Sequence, residues 1–180
     1  MRWLRLGRRW AARIATEHTL GCCYLFGFGV ARDAARGLAL GRESEAAGSC
    51  FGQHVVAECY AFGSGGVEED DAVALRLYGL AAAQGEAYAQ LTLGYMFELG
   101  EGVAQDYTEA VRLYSLAAAQ GDADAQFSLG YMFENGKGVA QDTAEAIRWY
   151  RLAAEQGFLE AQEQLDALLS VSRKRARPGA

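Results

Sequence analysis

With 180 residues, 51% of them hydrophobic, the chain has enough apolar material for one modest domain with its own core. The formal charge of -6 is unevenly placed: nine of the 17 basic residues fall in residues 1–14 and 173–177, leaving eight against all 23 acidic residues between them. So acidic a body argues against nucleic-acid binding, and no run of about 18 apolar residues offers a transmembrane helix.

Residues 1–14 carry five Arg and no acid, and Trp3, Leu6, Trp10 and Ile14 fall on one helical face. That pattern predicts a basic N-terminal capping helix; the same composition also suits an organelle targeting segment. The apolar stretch from Leu20 to Val30 has the character of a signal-peptide core, but it fits the repeat that follows and is assigned to it.

The stretch Leu93 to Glu98 returns as Leu129 to Glu134, 36 residues later, and Gly102 to Asp106 returns as Gly138 to Asp142. A period of this size is the signature of a solenoid. Alignment on the Gly-x-Gly-Val turn gives a degenerate first repeat over 15–48 and further repeats over 49–85, 86–121 and 122–157. A C-terminal capping helix over 158–170 and a basic, disordered tail over 171–180 follow. Each repeat reads as two antiparallel helices. Helix A is expected over 89–99 in the third repeat and 125–135 in the fourth. Helix B opens on Asp106 with Glu109 three residues on, and on Asp142 with Glu145, both capping-box patterns. Gly85, Gly121 and Gly157 stand where a helix end takes a left-handed residue. In the first repeat Gly37 and Gly41 replace Ala110 and Tyr114 of the third, which weakens the expectation of a helix B there.

Ala125, Leu129, Gly130, Gly138, Val139, Asp142, Ala146, Tyr150, Ala153 and Gly157 together resemble the Sel-1-like repeat, a relative of the tetratricopeptide repeat. The resemblance covers roughly residues 15–169. It implies an all-α fold: a right-handed α/α superhelical solenoid of about four 36-residue helix-turn-helix repeats. It also implies a non-enzymatic adaptor, since such proteins serve membrane-associated protein degradation, signalling and bacterium–host contact. A fold alone transfers no single activity.

Helix A divides into two faces. Ala89, Leu93, Met96 and Phe97 form the packing face, while Tyr88, Leu91, Tyr95 and Glu98 point the other way. That second face holds Asp124, Phe127, Tyr131 and Glu134 in the fourth repeat, and Phe51, His54, Glu58 and Ala61 in the second. In the resembled superhelix, helix A lines the concave side. Tyr88, Tyr95, Glu98, Phe127, Tyr131 and Glu134 are therefore expected to line a groove for a partner protein. Aromatics rimmed by acids suit a peptide or helix carrying basic residues. The alternative is that these side chains pack on neighbouring repeats.

Other chemistry is weakly signalled. Cys23 and Cys59 occupy the packing slot of Met96 and Met132, and Cys50 and Cys59, about 13 Å apart along one helix, are beyond disulfide reach. Some secreted bacterial relatives are stapled by a Cys pair in each repeat, but the third and fourth repeats contain no Cys. A reducing, cytoplasmic compartment fits this pattern best; import into an organelle and secretion are the alternatives. His18 and Cys22, with Cys50 and His54, could form a Cys₂His₂ set, but no usual spacing supports it. The acidic run Glu68 to Asp71 reads as a helix start. No catalytic motif, cofactor loop or metal motif stands out. Against the adaptor stand two rival readings, a secreted or envelope effector of hydrolase type and an organelle-imported assembly factor.

Overall fold

A computed structural model describes residues 20–175, with side-chain surroundings given for 20–170. The segment over 1–14 and the chain beyond Arg175 lie outside the described residues. Among the described residues the structure is all helix: α1 (Leu20–Phe26), α2 (Ala34–Ala46), α3 (Cys50–Ala61), α4 (Asp71–Ala83), α5 (Ala87–Leu99), α6 (Tyr107–Ala119), α7 (Ala123–Asn135), α8 (Thr143–Glu155) and α9 (Leu159–Arg175). The chain divides into two compact units, Met1–Ala89 and Gln90–Ala180.

In the first unit, α2 is a full helix of 13 residues despite its two glycines. The glycines are the contact. A methyl group on Gly37 would stand 2.9 Å from the carbonyl oxygen of Gly21, and one on Gly41 would stand 2.7 Å from Val55 Cγ1. Each glycine costs about 1 kcal/mol of helix propensity relative to alanine, and the close approach of α2 to α1 and α3 offsets it. Asp33 caps the helix by accepting from the Arg36 amide at 3.0 Å. Sequence propensity undervalued α2 because the benefit of its glycines lies in tertiary contact.

In the second unit the same device takes another form. The buried ring of Tyr114 on α6 lies flat on Gly94 of α5, and that of Tyr150 on α8 lies on Gly130 of α7; a methyl group on either glycine would stand 2.6 Å from the ring. Alanines at 110, 117, 125, 146 and 153, all fully buried, bring the helix backbones close. Gly121 and Gly157 have φ of 86° and 81° with no neighbour within 4 Å of an added methyl, so conformation and not crowding selects glycine there.

The helix starts differ from the expected capping boxes. Asp106 accepts from the Thr108 and Glu109 amides at 2.9 and 3.1 Å, and Asp142 accepts from Ala144 and Glu145 at 2.8 and 3.1 Å. The reciprocal half is absent from these geometries, because Glu109 turns to Arg112 at 2.6 Å and Glu145 to Arg148 at 3.3 Å. The Asp106 and Asp142 amides already donate to the Phe97 and Phe133 carbonyls, each at 2.9 Å, which leaves each glutamate to the arginine one turn on. Glutamines unforeseen in the sequence brace each pair: Gln120 donates to Gln90 Oε1 at 2.9 Å, and Gln156 donates to Gln126 Oε1 at 2.9 Å. Beyond them, α9 buries Ala161 and Leu165 against Tyr150 and Ala153. It continues past residue 170 to Arg175, into the stretch expected to be a disordered tail, because no Gly or Pro interrupts the sequence before Pro178.

Candidate partner-binding face

Tyr88 belongs to the first unit, and the other five groove candidates belong to the second. In the second unit, Tyr95 on α5 and Ser128 on α7 share a hydrogen bond of 3.0 Å between their hydroxyls, which joins the two A helices along one face. The Tyr95 ring meets Tyr114 edge-on at 5.3 Å. Phe127 stacks on Phe158 at 5.0 Å and tilts against Tyr150 at 5.4 Å. Tyr131 receives a hydrogen bond of 2.9 Å from the Lys137 ammonium. All three aromatics remain half-buried and so keep some surface to offer.

The two acids do different work from a rim. Tyr114 Oη donates to Glu98 Oε2 at 2.7 Å, and Tyr150 Oη donates to Glu134 Oε2 at 2.7 Å. Glu98 is only 6% exposed. Both carboxylates are acceptors for a tyrosine that would otherwise bury an unsatisfied hydroxyl. Burial, and then the Glu134 carboxylate, push the Tyr150 phenol well above its ordinary range. The recurrence of a Glu sixteen residues before a Tyr was the available signal. The second repeat makes it plainer: Ala61 fills the Glu column, Glu58 fills the column of Tyr95, and Tyr78 donates to Glu58 at 2.7 Å instead.

In the first unit, the residues assigned to the open side of helix A form a buried polar cluster. His54 and Glu58 are 1% and 2% exposed. The imidazole lies 3.3 Å from Glu86 Oε2 and 3.6 Å from Glu58 Oε1, and Tyr88 stacks on it at 4.6 Å with planes 6° apart. Burial alone would lower the His54 pKa, but Glu58 and Glu86 reverse that and raise it to about 9. Burial likewise opposes ionisation of Glu86, yet His54 and the Tyr88 and Ala89 amides hold its pKa below the usual carboxylate value. Glu86 thus caps α5 and pairs with α3 at once.

The four cysteines are free thiols. Burial, followed by Glu58, pushes Cys59 up to about 12, and burial with Glu58 and Glu86 raises Cys22 as well. These thiols stay protonated near neutrality and are poor nucleophiles. Of the Cys₂His₂ set, His18 lies outside the described residues, and the His54 nitrogens face carboxylates. Among the described residues no group of three or more His, Cys, Asp or Glu has a metal-holding arrangement, and no helix is long and apolar enough to cross a membrane.

The Sel1 repeat family model matches residues 17–49, 51–86, 87–122 and 123–158, most of the chain. The chain belongs to the Sel1 repeat family. It is an all-α protein of the α/α solenoid class, built from four repeats. It is similar to a protective antigen of uropathogenic Escherichia coli strains with an SLR fold, at 36% identity over 84% of this chain and 32% of that one, with a TM-score of 0.73. A Sel1 repeat protein from Oxalobacter formigenes is 30% identical over 82% of this chain and 59% of its own, also with a TM-score of 0.73. Helicobacter pylori cysteine rich protein B, 21% identical with a TM-score of 0.58 over 74% of this chain and 96% of its own, shares the fold. The chain spans about a third of the first of these structures and three-fifths of the second. Among curated proteins none matches. Sel1 repeat proteins are generally protein-interaction scaffolds and typically non-catalytic.

Proposed function

We propose that this Sel1 repeat protein is a non-enzymatic adaptor, and that its second unit holds a peptide or helix of a partner protein along the A-helix face of α5 and α7. The observation that carries this reading is the set of half-buried aromatics Tyr95, Phe127 and Tyr131 on that face, with Tyr95 bonded to Ser128 across the two helices. Half-buried aromatics on a rigid helical frame lose little entropy on binding and offer large contact area. The acidic body favours a partner segment with basic residues and disfavours nucleic acid. Free thiols suit a reducing compartment such as the cytoplasm.

The test is affinity capture with mass spectrometry, comparing the unaltered chain with Tyr131→Ala and with Tyr95→Ala/Tyr131→Ala, and circular dichroism as the folding control. A partner retained by the unaltered chain and lost by folded variants supports the face. Equal retention by all three moves binding off it. Loss of helicity in the double variant would make the aromatics packing residues first.

A further inference from the structure

Lys137 lies among tyrosines. Its ammonium donates to Tyr131 Oη at 2.9 Å, sits 4.7 Å from the centroid of that ring and 5.2 Å from the centroid of Tyr107. The backbone fixes this position. Gly136 closes α7 in the left-handed conformation, and its amide and that of Lys137 both return to the Met132 carbonyl. The turn then presses against α6 so closely that a methyl group on Gly138 would collide with the Tyr107 carbonyl. The side chain of Lys137 is therefore delivered between Tyr131 and Tyr107 by a helix cap. The Glu98 carboxylate adds attraction for a cation.

The trio is not a requirement of the repeat. One period earlier the lysine column holds Glu101, and one period later the Tyr107 column holds Thr143. All three side chains are half-buried, so solvent reaches the place where the ammonium rests. A flexible lysine held by an exposed cation–π contact and one hydrogen bond exchanges readily with a competing cation.

We propose that Tyr107 and Tyr131 form a cation cage, occupied at rest by Lys137, and that a lysine ammonium from a basic partner segment enters it by displacing that side chain. The cage rests on the partner-binding reading above and gives it a chemical anchor. Lys137 acts as an internal competitor, lowering the apparent affinity by the fraction of time the cage is free.

The probe is the peptide acetyl-(Gly-Lys)4-amide, titrated against the full chain while the ring resonances of Tyr107 and Tyr131 are followed by NMR. The variants are Lys137→Met and Arg151→Met; the second removes the same charge at an exposed residue. Peptide binding to Lys137→Met is expected to be about tenfold tighter than to Arg151→Met, the size of a modest cation–π contact with its hydrogen bond. Shifts should centre on the two tyrosines, and Tyr131→Leu added to Lys137→Met should cancel the gain with the helical spectrum unchanged. Equal affinity of the two single variants, or shifts away from both rings, would overturn the cage. That failure is separable from failure of the adaptor reading, which is measured by partner capture on the unaltered chain.

Discussion

The His54 cluster makes the stability of the first unit depend on pH in a definite direction. The pKa of His54 is raised from 6.5 to about 9, so folding takes up a proton. Its contribution is fully present below pH 6.5 and is lost as the pH climbs through about 9. A shift of that size corresponds to about 3 kcal/mol. Glu86, shifted down, acts at the other end: its contribution is present above the usual carboxylate pKa and is lost as the pH falls through its lowered value. Cys22, Cys50, Cys59 and Tyr78 are all shifted up, so they remove stability only where the unfolded thiols and phenol ionise, which for a thiol begins at about pH 7.5. Between pH 6.5 and about 7.5 the His54 term stands nearly alone, with a slope that rises from about 0.7 to about 1.2 kcal/mol per pH unit. Cys59, fully buried on α3 beside the cluster, supplies the assay. Its labelling by a thiol reagent, resolved by mass spectrometry and normalised to an unfolded peptide at each pH, measures the opening free energy of that helix. The opening free energy should drop by about 1 kcal/mol across that window. In His54→Gln the slope should vanish, while the whole curve falls by about 3 to 5 kcal/mol because two carboxylates are left facing one another without a cation. A flat profile in the unaltered chain would refute a protonated imidazole between Glu58 and Glu86.

The second unit offers sharper contrasts. Gly130→Ala should cost about 1 to 3 kcal/mol in a thermal melt, since the added methyl has only the face of the Tyr150 ring to move into; no loss would mean the ring is not seated on the glycine. Tyr114→Phe should cost more than Tyr150→Phe, because Glu98 is buried and Glu134 only half-buried, with the first at about 1 to 3 kcal/mol by denaturant titration. The reverse order would refute Glu98 as the more deeply buried acceptor of the two. Asp142→Ala should cost about 1 kcal/mol and Glu145→Ala less than about 0.5 kcal/mol, because the aspartate alone makes the cap bonds; similar losses would restore the reciprocal box.

How far the sequence could be read followed how local the governing physics is. The period, the A and B helices, the left-handed glycines and the Asp caps are decided within a few residues of chain, and all appear at or within two residues of where the pattern puts them in the third and fourth repeats. The fate of Glu98 and Glu58 was not local. Helical periodicity assigns both to the side of helix A facing away from Met96 and Cys59, and periodicity knows only two sides. It cannot register that a tyrosine from helix B reaches over a glycine and ends at a carboxylate, so a buried acceptor was classed with exposed acids. At Gly94 and Gly130 what approaches the helix is a ring, and the ring carries a hydroxyl that must be satisfied. Once that requirement is stated, the exchange in the second repeat follows from sequence alone: where the Glu column holds Ala61, the tyrosine needs another acceptor, and Glu58 one turn back supplies it. The same substitution removes an aromatic from the column of Tyr95 and Tyr131. Half-buried aromatics and buried carboxylates thus compete for one column of the repeat. A repeat with Glu in that column has turned the position toward its core, and the third and fourth repeats, which keep a separate Glu for the helix-B tyrosine, hold a half-buried tyrosine there.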